Sequence, residues 1–107
     1  MKNNQIKVSV FVPVFNDDKN IEECINSLLC QTFSFDEILI VNDCSTDNTD
    51  KILKKFSNIK IINNNVNKGI SFTRNIAIKN CTNEIVAGVD SDVVLHNDWL
   101  YLMLENF

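Results

Sequence analysis

The segment EILIVNDCSTDNTDKILKKF, residues 37–56, changes character twice within a few turns of chain. It opens as a largely β-branched apolar run, breaks at Asn42 and Asp43, passes through Ser45, Thr46 and Asp47, and resumes with Ile52, Leu53 and Phe56 on one helical face. A short apolar run bounded by turn formers is the pattern of a buried strand. Ser, Thr and Asp carry side-chain oxygens that accept hydrogen bonds from the free N–H groups at a helix start. The segment therefore predicts a strand, a polar loop and a helix.

Three further runs, KVSVFVPVF (7–15), IKIINNN (59–65) and EIVAGVD (84–90), repeat the strand pattern. Helical spacing lies between them. Ile21, Cys24, Ile25, Leu28 and Leu29 share one face behind a capping pair of Asn20 and Glu23. A third helix, 70–80, is entered through Gly69, and a fourth carries Trp99, Leu100, Met103, Leu104 and Phe107 behind Asn97 or Asp98 as cap. The order βαβαβαβα implies right-handed crossovers and a parallel sheet, an α/β class of Rossmann-like design in one domain spanning residues 1–107. Parallel sheets bind ligands beyond the carboxyl ends of their strands. FNDD, NDCSTD, NNNVNKG and DSD follow the four strands in turn, so the polar clusters converge at that end.

Composition narrows the partners. The net charge is −4, the sequence pI is near 4.8, and the ten basic residues are scattered, so no surface neutralises a nucleic-acid backbone. No signal-type apolar core follows MKNNQIKV and no membrane-length apolar run occurs, which leads us to expect a cytoplasmic protein. Cys24, Cys30, Cys44 and Cys81 form no CxxC pair and are expected as reduced, mostly buried thiols. His96, the single histidine, has no evident partner and reads as a loop residue.

Four positions could carry chemistry. Asp90 and Asp92 in extended backbone would point to the same side about 6.6 Å apart, repelling by about 2.5 kcal/mol at an effective dielectric near 20. Water screens such a pair, or a cation sits between them. At the mouth of a parallel sheet, hard oxygen ligands suit Mg²⁺ or Mn²⁺ shared with substrate phosphates. Asp43 ends the second strand, where it can accept hydrogen bonds from a ligand or from the following loop. Arg74, the only arginine, can clamp phosphate or carboxylate in a bidentate way, or lie solvated on its helix.

In order, these segments resemble the N-terminal half of a GT-A glycosyltransferase of the inverting family 2. SVFVPVFND resembles that family's Pro-Val-Tyr-Asn turn with Phe15 in the aromatic place, and CINSLLCQTF its helix ending in Gln-Thr-aromatic. ILIVNDCSTDNT resembles the Val-Asp-Asp-Gly-Ser-Thr-Asp segment, NVNKGISFTRNIAI the Asn-x-Gly and Ala-Arg-Asn segment, and VDSD the DXD motif. The resemblance implies strand order 3-2-1-4 and a nucleotide-diphosphate sugar, UDP-linked, as ligand. It implies that Pro13, Phe15 and Asp43 bound the nucleobase, that Arg74 supports base or diphosphate, and that Lys68 assists. Asp90 would face the ribose or the metal, and Asp92 would ligate Mn²⁺ or Mg²⁺. Asn42 and Cys44 depart from the family's aspartate and glycine, which bears on loop shape and nucleotide preference.

The general base of such an enzyme lies well after the DXD motif, so it is expected beyond Phe107, together with the site for an acceptor glycan or lipid-linked sugar. The full-length protein would then work at the inner face of the membrane. The fourth strand and terminal helix would be left uncovered, an expected surface for a homodimer. Two other classes share the alternation of strands and helices, but this chain lacks their motifs. A phosphoacceptor receiver domain needs an aspartate ending the third strand, where asparagines stand, and a dinucleotide oxidoreductase needs GxGxxG after the first. A non-catalytic nucleotide-binding module is the remaining alternative.

Overall fold

The computed structural model describes residues 6–106. Strands β1 (Val8–Val14), β2 (Glu37–Asn42), β3 (Lys60–Asn63) and β4 (Ile85–Gly88) alternate with helices α1 (Ile21–Leu29), α2 (Thr49–Leu53), α3 (Ile70–Asn80) and α4 (Trp99–Glu105). The strands form one parallel sheet in the order β3-β2-β1-β4, as the resemblance implied. The chain therefore steps outward from β1 to β3 and returns across the sheet to β4. Strand order reverses between β1 and β4, and α3 makes the return on the opposite face from α1.

Alternation along β1 divides the core. Val8, Val10, Val12 and Val14 pack with α1, α2 and α4, whereas Phe11 packs with Leu39, Val41 and Ala77 of α3. β1 and β2 are buried throughout, but β3 and β4 are half-exposed because they form the two edges. Gly88 makes room for Phe11 across the β1–β4 pairing, since a Cβ there would lie 2.8 Å from the ring.

Several helix ends differ from expectation. Asn20 makes no side-chain cap, because its backbone is already near-helical (φ −117°, ψ −24°), and its amide instead donates to Asp17 Oδ1. α2 is cut short at Leu53 where Lys55 and Phe56 N–H turn to carbonyls three residues back. At α4 neither Asn97 nor Asp98 caps with its side chain. The buried Gln31 does so from the end of α1, accepting from Leu100 N–H at 2.9 Å and donating to His96 O at 2.7 Å. The Gln-Thr-Phe triplet is thus the dock for α4, with Thr32 bonded to Asp98 and Phe33 edge-on to Tyr101. His96 is the loop residue expected, its Nδ1 accepting from Asp98 N–H. Phe107 lies outside the described residues. All four cysteines are free, but only Cys24 is buried, because Cys30 caps the end of α1 and Cys44 lies in a surface loop.

At the amino end of the sheet one buried carboxylate joins β1, β2 and β3 to the segment that enters β4. Glu37 accepts from Ser9 Oγ (2.6 Å), Lys60 Nζ (2.6 Å) and Thr82 N–H (2.8 Å), and Asn83 donates to Ser9 Oγ. Burial alone would raise its pKa. The hydrogen bonds from Lys60, Ser9 and Thr82, with the Lys60 charge, outweigh burial and bring it down to about 2. A depressed carboxylate contributes its full stability above its unfolded pKa and loses it as pH falls through the folded value.

Two predictions concern stability. The native chain is expected to lose about 3 kcal/mol between pH 5 and pH 2 through Glu37, and Glu37→Gln to lose about 2 kcal/mol at pH 7. Urea denaturation at both pH values checks this, with the variant showing the smaller acid loss. Gly88→Ala is expected to cost about 1–3 kcal/mol by overpacking, and Phe11→Leu in the same chain to recover part of it in a thermal melt.

Candidate functional site

The carboxyl ends of β1 and β2 are tied together before either loop turns away. Asp43 N–H donates to Val14 O at 2.8 Å, which places Asp43 beside Phe15 at the rim of a cavity of about 260 Å³. Pro13, Val14, Phe15, Asp43, Asn67, Gly69, Ile70 and Thr73 line it. Phe15 and Ile70 are 49% and 54% exposed, so the opening is flanked by apolar groups free to cover a flat ring.

Asp43 itself is buried. Lys68 N–H (2.8 Å) and Asn64 Nδ2 (2.9 Å) donate to its Oδ1, and Gly69 N–H (2.9 Å) to its Oδ2. A carboxylate offers about four acceptor positions, so little remains for a ligand donor. Burial would raise this pKa, but the bonds from Asn64, Lys68, Gly69 and Thr73 hold it below the usual carboxylate range. The pattern explains the asparagine-rich loop. Asn64 Nδ2 also reaches Thr73 Oγ1, and Asn67 Nδ2 reaches Asp43 O. Gly69 enters α3 at φ 89°, a left-handed conformation for which glycine carries no Cβ penalty.

Across Pro13 lies a second cavity, about 330 Å³, lined by Phe11, Pro13, Arg74, Gly88, Val89 and Asp90. Its position is the β1–β4 reversal. Arg74 Nη2 donates to Asp90 Oδ1 at 3.1 Å between two well-exposed side chains. β4 ends at Gly88 and the chain then turns, with Val93 N–H bonded to Asp90 O, so Asp90 and Asp92 do not occupy one extended segment. The strand alternation that would have fixed their spacing does not apply. Both still face a common region. The buried Cys24 thiol, whose Sγ contacts Asp90 O at 3.6 Å, is pushed up to about 12 by burial and by the charges of Asp17, Asp92 and Asp90.

Asp17 therefore joins the acidic turn, bonded to Ser91 Oγ at 2.5 Å. Asp92 makes no hydrogen bond or ion pair among the described residues. Two exposed carboxylates suit a cation that keeps its waters and shares phosphate oxygens, although no group of three or more ligating side chains occurs among the described residues.

Of the residues read from sequence, Pro13, Phe15 and Asp43 meet in the first cavity, and Pro13, Arg74 and Asp90 in the second. Lys68 lines neither; its main chain serves Asp43 while Nζ lies 5.0 Å from the Phe72 ring centre. Sequence reasoning missed Asn64, Asn67, Thr73 and Asp17. The recurrence of asparagine beside a strand-end aspartate was the available signal, as each amide can serve that carboxylate or its loop.

A parallel sheet with two adjoining cavities at its switch point defines a Rossmann-like nucleotide-binding architecture. Residues 9–107 match the family model described as Glycosyl transferase family 2, and the chain belongs to that family, as the N-terminal part of its GT-A fold. Over 101 residues it is 39% identical to the poly(ribitol-phosphate) beta-N-acetylglucosaminyltransferase TarS of Staphylococcus aureus, covering 89% of this chain and 18% of TarS. Over 97 residues it is 35% identical to glycosyltransferase GlyA of Streptococcus pneumoniae, covering 88% of this chain and 14% of GlyA. The chain thus spans a third or less of the length of these curated relatives. Residues 1–349 of TarS, crystallised with UDP-GlcNAc, superpose with a TM-score of 0.85 at 37% identity, covering 94% of this chain and 30% of that one. The mannosyltransferase PcManGT of Pyrobaculum calidifontis, solved with GDP-Man and Mn²⁺, gives 0.81 at 26% identity over 88% of this chain and 30% of that one. No helix among the described residues is long and apolar enough to cross a membrane.

Asp43→Ala strands two main-chain N–H groups and is expected to lower stability by about 2–3 kcal/mol. Hydrogen exchange at Lys68 and Gly69, faster than in the native chain, would locate the loss.

Proposed function

We propose that this chain is the donor-binding part of a glycosyltransferase that takes a nucleoside-diphosphate sugar, UDP-linked, for metal-dependent inverting transfer of a hexosyl group to an acceptor hydroxyl. The observation that carries it is the pair of cavities sharing Pro13: one flanked by apolar groups beside Asp43, the other bordered by Arg74 and an acidic turn. The nucleobase lies between Phe15 and Ile70, and the diphosphate runs past Pro13 toward Arg74. The complexes of TarS with UDP-GlcNAc and of PcManGT with GDP-Man and Mn²⁺ support this assignment.

Asp92 with Asp90 would hold Mn²⁺ or Mg²⁺, which supplies charge neutralisation for the departing diphosphate. Arg74 bonds only Oδ1 of Asp90, so Oδ2 would be open to the metal, and the guanidinium could pass to a phosphate oxygen, which it matches in geometry, and release Oδ1 as well. Such an exposed pair is worth about 0–1 kcal/mol, so the exchange costs little. In the transfer, the acceptor oxygen bonds to the anomeric carbon as the bond to the diphosphate oxygen breaks. Its proton goes to a carboxylate that we assign to none of these residues. An acceptor glycan or lipid-linked sugar at the inner membrane face completes the proposal, supported by the polymer-directed names of TarS and of the poly-beta-1,6-N-acetyl-D-glucosamine synthase of Staphylococcus epidermidis. Association with a second copy would use the β4 edge and its apolar groove against α4, where Leu102 and Met103 are exposed.

Calorimetry with UDP is expected to show weak binding that requires Mn²⁺ or Mg²⁺. Asp92→Ala should abolish the metal-dependent binding, while Asp43→Ala should weaken UDP at saturating Mn²⁺. Equal affinity in excess chelator would overturn the metal assignment, and no binding of any nucleoside diphosphate with Mn²⁺ would overturn the donor reading.

A further inference from the structure

Phe15 is half-exposed, so packing alone does not fix its ring over the nucleoside cavity. Its direction is set by the backbone that follows. β1 ends at Val14, and Asn16 turns the chain in a left-handed conformation, φ 50°, which asparagine tolerates better than most residues. Asn16 is exposed and lines neither cavity, yet its N–H and its side chain are bonded to one tripeptide of the next loop. Its N–H donates to Ser45 Oγ at 2.9 Å, and its Nδ2 to Thr46 Oγ1 at 3.2 Å. Its Oδ1 accepts from Thr46 N–H at 2.7 Å and from Asp47 N–H at 3.3 Å.

Ser45, Thr46 and Asp47 follow Asp43 after a single residue, Cys44, and the main chain of Asp43 is bonded to Val14. Phe15 and Asp43, two sides of the cavity, are therefore joined twice, at the strand ends and again through Asn16. We infer that Asn16 is a positioning residue for nucleoside recognition, holding Phe15 in register with Asp43; this rests on the donor-binding reading above. A helix-start role alone would place the loss in stability. A positioning role places it in the affinity for the base and leaves the diphosphate untouched, because Asn16 reaches neither Arg74 nor Asp92.

The test compares UDP with inorganic diphosphate, each with Mn²⁺, by calorimetry on the whole chain. Asn16→Gly keeps the left-handed backbone and the N–H bonded to Ser45 but removes the side-chain bonds to Thr46 and Asp47, and is expected to weaken UDP about tenfold, the loss of roughly one hydrogen bond's worth of positioning, with diphosphate unchanged. Asn16→Asp keeps Oδ1 for both N–H groups and can accept from the Thr46 hydroxyl, so it should bind UDP within about threefold of the native chain. In a double-mutant cycle, Asn16→Gly should add little to Phe15→Ala. Ser45→Ala removes only the acceptor of the Asn16 N–H, and keeps the test available if Asn16→Gly fails to fold; a UDP loss of about threefold is expected. Native UDP affinity in Asn16→Gly, or in Ser45→Ala if that chain does not fold, would overturn the inference and leave the donor reading standing. So would additivity with Phe15→Ala, an Asn16→Asp variant as weak as Asn16→Gly, or equal losses for UDP and diphosphate. Failure of the native chain to bind UDP with Mn²⁺ would remove both.

Discussion

A single buried carboxylate organises the ligand end of this protein. Asp43 follows directly on β2 and takes the N–H groups of Lys68 and Gly69 with the amide of Asn64, so the excursion from β3 to α3 closes on it. Left without these donors, the charge would be costly at its depth, and without the charge the turn into α3 would expose two main-chain donors. Each side of the contact is the reason the other persists. α3 is thereby anchored at its entrance, which sets Thr73 and Ile70 in one cavity and Arg74 at the other.

Glu37 plays the corresponding part at the opposite end, where no ligand is proposed. Its bonds to Ser9, Lys60 and Thr82 tie together β1, β3 and the entry to β4. One strand, β2, thus begins with one buried acid and runs directly into another, and both acids are held ionised by hydrogen bonds that outweigh burial. The difference is in where they sit. Glu37 lines a cavity at the amino end of the sheet and is answered there by the Lys60 cation, whereas Asp43 borders the cavity at the carboxyl ends of the strands and takes main-chain and amide donors.

The acidic turn after β4 follows another logic. Asp90 and Asp92 are exposed, and Arg74 answers only Asp90. Their field is felt by the Cys24 thiol beneath, which remains protonated and so is a poor nucleophile and a poor soft ligand. A hard cation with phosphate oxygens is the partner whose chemistry fits such a turn.

Much of the fold was legible because its signals are local. Short apolar runs bounded by turn formers gave the strands, 3.6-residue spacing gave the helices, and their alternation gave the parallel sheet with polar clusters gathered at the carboxyl ends. Pro13, Phe15, Asp43, Arg74 and Asp90 do border cavities at that end. Only the tertiary structure decided which polar groups answer one another. Asp43 meets Gly69, Asn16 meets Thr46, and Gln31 rather than Asp98 caps α4. These partners are far apart in sequence, and no periodicity encodes a hydrogen bond between loops. The turn after Asp90 likewise depends on where the β1 pairing stops, so the spacing of the two aspartates was not in the alternation of strand residues. The amino-acid sequence determined where the acids would gather; three-dimensional closure of the loops determined which were left free to meet a ligand.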